Sequence, residues 1–186
     1  MPERLHPVKK SVLALAREIP LHEVTHLQIA ERAGVEISEV LEHGATSIEI
    51  AEAALDELLA YIEEELAVIS ANNTNEFSLV AESHRMLLEH ALDQAPVYLS
   101  STDGRLWRVM TSRVDALLER RIEFHPARLP FTNPSDLDKR MLAAYTAAGT
   151  VAAIETWLRS GDTDDLDDAV TVIFAGAPEW LFDATR

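Results

Sequence analysis

"IAERAGVEISEVLEHG", residues 29–44, is the stretch on which the reading of the chain turns. A helix-turn-helix needs a small residue where its two helices cross, a glycine in the turn, and a branched apolar residue anchoring the second helix. Ala30, Gly34 and Val40 meet these needs at the required spacing. Just upstream, Thr25 followed by Gln28 has the form of a capping box, which starts a helix at "HLQIAERA". Gly34 ends that helix, because glycine accepts the left-handed backbone of a tight turn. A short helix from Glu36 to His43 follows and is closed by Gly44. Its charge is unusual for a helix that reads DNA: it carries Glu36, Glu39 and Glu42 and no Lys or Arg.

Helix signals continue on both sides, and strand signals are almost absent. Val8 to Arg17 reads as a first helix that stops before Pro20. Thr46 or Ser47 caps a long fourth helix whose apolar residues Ala51, Leu55, Leu58, Ile62, Leu66 and Ile69 share one face. "ANNTN" (71–75) breaks it. Phe77, Val80, Leu87 and Ala91 mark a fifth helix, "APVYLSSTDG" a loop, and Leu106, Met110, Val114, Leu117 and Arg121 a sixth helix. "HPARLPFTNP" is the longest irregular connection. Ser135 caps a helix that runs to about Ser160, and Asp162 to Asp165 open another that ends near Pro178. The expected fold is all-α, with eight or nine helices and a boundary near Ala45.

The chain has 186 residues, 47% hydrophobic, with a net charge of −16 and no cysteine. That is enough apolar material for a core, and the charge works against loose binding to any polyanion. The lack of cysteine excludes disulfides and thiolate metal sites and suits a reducing cytoplasm, the expected location. No signal-length apolar run opens the sequence, and no stretch approaches the about 20 apolar residues of a membrane span. No nucleophile elbow or phosphate-binding glycine loop occurs, so no enzymatic activity and no cofactor are expected.

"EVTHLQIAERAGV" (23–35) resembles the N-terminal domain of the tetracycline-repressor (TetR) family of regulators. "MLAAYTAAGTVAAIETWLRSGDTDDLDDAVTVIFAGAPEWL" (141–181) is similar to the paired C-terminal helices of that family, in the spacing of Gly149, Ile154 and Trp157 and in the "SGD" before the last helix. The resemblance implies a three-helix, helix-turn-helix DNA-binding head over residues 1–45. It implies a larger helical effector-binding and dimerisation domain over 46–186. It implies a ligand-responsive regulator, in the repressor mode, that binds double-stranded operator DNA as a homodimer and is released by a small apolar effector. The DNA contacts it implies are Lys9, Lys10, Thr25, Glu36, Ile37, Ser38, Glu39, His43 and Ser47. The dimer surface it implies is built by the last two long helices through Thr150, Ile154, Trp157, Val170 and Phe174.

Several positions depart from the family pattern. Glu39 stands where a small residue or Thr is usual, Leu41 where a Tyr is usual, and Gly44 where an aromatic is expected. Ser47 replaces a lysine that commonly clamps a phosphate. Residues 1–60 hold five basic and eleven acidic groups, a formal charge of −6. Non-specific DNA affinity comes mostly from neutralised phosphates, so this head must lose much of that term. A glutamate can still accept a hydrogen bond from cytosine N4, and Lys9, Lys10 and helix N-termini can still position the head. The alternative is a dimer of the same fold that no longer binds DNA and serves as a ligand- or protein-binding module.

The aromatic and polar residues of the middle region suggest an effector pocket at His84, Trp107, Met110, Phe124 and Tyr145, although such residues also fill ordinary cores. "HEVTH" (22–26) fits the H-E-x-x-H pattern of zinc hydrolases, a remote alternative. Against it, Pro20 and the cap at Thr25 place a helix boundary inside the motif. The aspartates from Asp162 to Asp168 fit a helix start better than a calcium loop, whose glycine and terminal Glu are missing.

Overall fold

The computed structural model describes residues 4–72, 75–100, 104–129 and 131–181. Among these there is no strand, and nine α-helices follow one another: α1 Pro7–Leu15, α2 His26–Ala33, α3 Ile37–His43, α4 Ser47–Asn72, α5 Glu76–Asp93, α6 Ala95–Ser100, α7 Arg105–Phe124, α8 Asp136–Ser160 and α9 Leu166–Ala175. No helix of the described residues is long and apolar enough to cross a membrane. The chain divides into two compact units, residues 1–61 with 94–110, and residues 62–93 with 111–186.

In the first unit, Pro7 opens α1 at the position where its missing N–H costs nothing. Val8, Val12 and Leu15 turn inward from α1, and Ile29, Ala30 and Val40 are buried from α2 and α3. The capping box forms as expected: Thr25 Oγ1 accepts from the Gln28 amide at 3.3 Å, and Gln28 Oε1 accepts from the Thr25 amide at 2.8 Å. Gly34 has φ +70°, and the Gly34 and Val35 amides both donate to the Ala30 carbonyl. Those two bonds close α2 and turn the chain into α3. Thr46 Oγ1 accepts from the Glu49 amide at 3.2 Å and caps α4.

The expected loop "APVYLSSTDG" is instead helical over Ala95–Ser100, while residues 101–103 lie outside the described set. Pro96 is tolerated in a first helical turn, and burial of Val97 and Tyr98 holds a turn too short to show a periodicity. Tyr98 stacks on Trp107 with ring centroids 4.5 Å apart. Arg105 reaches Glu52 with two hydrogen bonds of 2.9 and 3.0 Å.

In the second unit α5 packs on α8 and α9. Ser135 and Asp138 make the capping box that starts α8, and Gly161 at φ +74° ends it. Asp165 caps α9 by accepting from the Asp168 amide at 2.8 Å, and Asp167 pairs with Arg85 of α5. Phe77 and Phe174 meet with centroids 6.0 Å apart. Ala143, Ala147, Val151, Ile154 and Leu158 form the buried side of α8. Arg121 donates to the Leu181 carbonyl at 2.7 Å, pinning the Glu179–Leu181 turn to α7.

Candidate nucleic-acid interface and effector residues

The helix-turn-helix keeps α3 in place through Val40, which is fully buried. Its outer side is open. Ile37 and Leu41, four residues apart and therefore on one helix face, are exposed, and Leu41 keeps half of its surface (52%). Glu36, Ser38 and Glu42 are exposed beside them. Leu27 is exposed on α2. Thr25 is exposed as well, with its hydroxyl committed to the capping box.

Four further expected DNA contacts have other engagements. Lys9 is an internal cation: its Nζ donates to Glu57 Oε2 at 2.7 Å, and its side chain is only 17% exposed. Tyr61 donates to the other oxygen of Glu57 at 2.7 Å. Burial alone would raise the Glu57 carboxyl, but these two hydrogen bonds and the Lys9 charge hold it below its ordinary value. Ser47 is buried, and its hydroxyl donates to the Leu21 carbonyl at 2.8 Å, so it ties α4 to the turn before α2 and reaches no phosphate. Glu39 leans toward His6, whose Nε2 lies 3.5 Å from its carboxylate. His43 is half-buried and packs against His6, with centroids 4.3 Å apart and the rings tilted by 32°. Burial, then the neighbouring His6 and Lys9, depress the His43 imidazole against the opposing pull of Glu39 and Glu42. Lys10 is half-buried on α1. His6 was not foreseen as part of this surface. The signal that could have found it is its position one residue before Pro7, a helix-capping place, where its Nδ1 accepts from the Val8 amide at 3.4 Å.

Gly44 explains itself sterically. A Cβ there would stand 2.9 Å from Ile50 Cγ1 and 3.0 Å from the Ile50 amide nitrogen. Ile50 is fully buried and cannot retreat, so the aromatic usual at this place in the family pattern has no room. Gly44→Ala is expected to cost about 1–3 kcal/mol by overpacking, read by urea melts. A change within about 0.5 kcal/mol, the size of an ordinary surface substitution, would show that the α3–α4 junction is loose.

The H-E-x-x-H pattern does not fall on one helix. His22 sits in the 3₁₀ turn Leu21–Glu23, Thr25 caps α2, and His26 is the first residue of α2. Two zinc ligands of this motif must share a helical face, and a helix boundary separates these two.

The suggested effector residues are placed differently from one another. In the first unit Met110 is fully buried and Trp107 is covered by Tyr98. In the second unit His84 is 5% exposed, and burial lowers its pKa. Phe124 and Tyr145 lie on the outside of the chain, 79% and 81% exposed, so neither encloses a cavity within a single chain. The expected dimer residues also divide. Ile154 and Val170 are buried inside the second unit and offer nothing to a partner. Thr150, Trp157 and Phe174 are half-buried. The open side of α8 carries Leu137, Met141, Tyr145, Ala148 and Ala152, at steps of three or four, with Gly149 beside them. Val172 is exposed on α9. This row is a second apolar period in the sequence, offset from the buried one, and nothing in the sequence says which of the two faces out.

No protein-family model matches the sequence, and no curated protein matches it. Solved structures do match the fold. The fatty acid degradation regulator FadR from Bacillus halodurans superposes with a TM-score of 0.68 at 14% identity, covering 97% of this chain and 95% of that one. RolR without ligand gives 0.66 at 16% identity, covering 92% and 89%, and RolR in complex with resorcinol gives 0.64 at 18%, covering 92% and 85%. The dihydroxyacetone kinase operon activator DhaS gives 0.58 at 16% identity, covering 96% and 97%. At these identities the likeness establishes that the chain shares the all-helical fold of these proteins over nearly its whole length.

Proposed function

We propose that the protein is a TetR-like, ligand-responsive transcriptional regulator that acts as a homodimer on operator DNA, in the repressor mode. Residues 1–45 serve as the DNA-binding head, and residues 46–186 bind the effector and the second subunit. The observation that carries this reading is the helix-turn-helix: α2, a left-handed Gly34 and an α3 anchored by Val40 with its outer side open. In α3 the proposed contacts are Glu36, Ile37 and Ser38, with Leu41 and Glu42 added from their exposure and Lys10 and Thr25 as positioning groups. The match to FadR, described as a regulator, and to RolR, solved with a bound small molecule, supports the same reading. The open row Leu137, Met141, Tyr145, Ala148 and Ala152, with Val172, is the proposed two-fold surface, because small residues let helix backbones approach closely. The effector is proposed to be a small, largely apolar molecule, with His84 as one buried polar group available to it.

A second reading is a dimer of the same fold whose head does not bind duplex DNA. The engagement of Lys9 with Glu57 and of Ser47 with Leu21 favours it, since both remove phosphate contacts. A binding selection separates the two. Folded dimer is mixed at low salt with duplexes of random core, and bound duplexes are amplified over several rounds. Enrichment of a two-fold symmetric site supports the first reading. Enrichment of no duplex, from protein shown to be a folded dimer, selects the second.

A further inference from the structure

We propose that α3 reads pyrimidines, by accepting hydrogen bonds from cytosine N4 and by packing aliphatic side chains on C5-methyl groups. The inference rests on the proposed DNA-binding function and names the bases that it reads. In the major groove, guanine offers acceptors, N7 and O6, and is read by the donors of Arg or Lys. From Glu36 to His43 there is no Arg or Lys. The exposed groups are carboxylates at Glu36 and Glu42, aliphatic side chains at Ile37 and Leu41, and the Ser38 hydroxyl.

A carboxylate needs a donor, and cytosine N4 is matched to Glu in that groove. An aliphatic side chain needs an apolar base group, which the thymine methyl supplies. Ser38 and Leu41 are three residues apart, and Ser38 and Glu42 four, so the two rows lie side by side on the helix. Glu39 takes no part, since its carboxylate faces His6 at 3.5 Å. The two rows would therefore present a carboxylate and a methyl-sized apolar surface to neighbouring positions along one strand. 5-Methylcytosine carries both complementary groups, the N4 amino group and a C5-methyl, on adjacent atoms of one base edge. The inference accordingly extends to it: replacing cytosine by 5-methylcytosine in the site tightens binding.

The test uses the full-length dimer and the duplexes enriched in the selection above, titrated by fluorescence anisotropy at low salt. Each half-site position is changed in turn, and cytosine is replaced by 5-methylcytosine. The expected half-site is rich in C and T on one strand. Each lost cytosine or thymine should weaken binding about 5- to 100-fold, the range of a single mismatched pair. Glu42→Gln, an exposed substitution without a packing role, should move one position from C toward A, because an amide pairs with adenine. Leu41→Ala should abolish the preference for a methylated pyrimidine at one position and leave the cytosine preference elsewhere.

An enriched site dominated by guanine contacts on the reading strand, with specificity unchanged in Glu42→Gln and Leu41→Ala, would overturn the inference and leave DNA binding intact. Failure of any duplex to enrich would overturn the underlying reading together with it. Circular dichroism and dimer mass, measured on both variants, show that they are folded.

Discussion

Acidification from pH 6.5 to 4 is expected to cost the fold about 3 kcal/mol through His90 alone. His90 is 9% exposed on α5, and burial lowers its imidazole from 6.5 to about 4, with Asp93 opposing weakly. The unfolded chain therefore takes up a proton first. The stability is complete above the unfolded value of 6.5, declines as the pH falls below it, and levels off below about 4. His84 and His43 are shifted in the same direction, also by burial, and add to the slope. Glu57, held below its ordinary value by Lys9 and Tyr61, loses its contribution at still lower pH. Urea melts at several pH values, with protein concentration fixed, measure this. His90→Gln removes a titrating group, so the difference in stability between it and the parent should shrink or reverse as the pH falls. Parallel curves for the two proteins would show that His90 is not responsible.

The other large effect concerns the proposed two-fold surface. Gly149→Leu is expected to weaken the proposed homodimer about a hundredfold or more, the size of a hot-spot loss, while the single chain keeps its fold. A Cβ at Gly149 meets nothing within 4 Å in one chain, and the residue lies on the open side of α8. Leucine is also a better helix former than glycine, by about 0.8 kcal/mol. A larger residue therefore favours the helix and obstructs only what approaches it from outside. Sedimentation velocity over a range of concentrations gives the dimer affinity, and helical circular dichroism reports the fold. A dimer of parental affinity in Gly149→Leu would place the two-fold surface elsewhere. Ile154→Ala makes the contrast: it should destabilise the chain itself by about 2–5 kcal/mol as a core truncation, since Ile154 is fully buried.

The parts of the fold that were legible in the sequence are those written in local chemistry. Thr25 with Gln28, Gly34, and Ser135 each set a helix end through hydrogen bonds a few residues away, and each does so in the structure. The long helices showed their periods. What was not legible depended on partners distant in sequence. α6 is one turn and a half, held by the burial of Val97 and Tyr98 rather than by any pattern of its own. Lys9 and Ser47 look like phosphate contacts until Glu57 and the Leu21 carbonyl, 48 and 26 residues away, are seen to engage them. In α8 both sides of the helix are apolar or small, so sequence alone does not decide which side faces the core; Ile154, expected at the dimer surface, lies inward. The wrong-signed charge of α3 was plain from the start. The structure adds that Glu39 is turned toward His6, which leaves Glu36 and Glu42 as the outward carboxylates.

The most direct test of the account is the mass of the complex formed by the protein on its selected duplex, measured by sedimentation equilibrium at low salt. Two chains of 20.7 kDa on one symmetric duplex are expected, and a single chain or none for Gly149→Leu at the same concentration. Free duplex beside an intact dimer would contradict it, and would leave the helix-turn-helix as a fold without a DNA target.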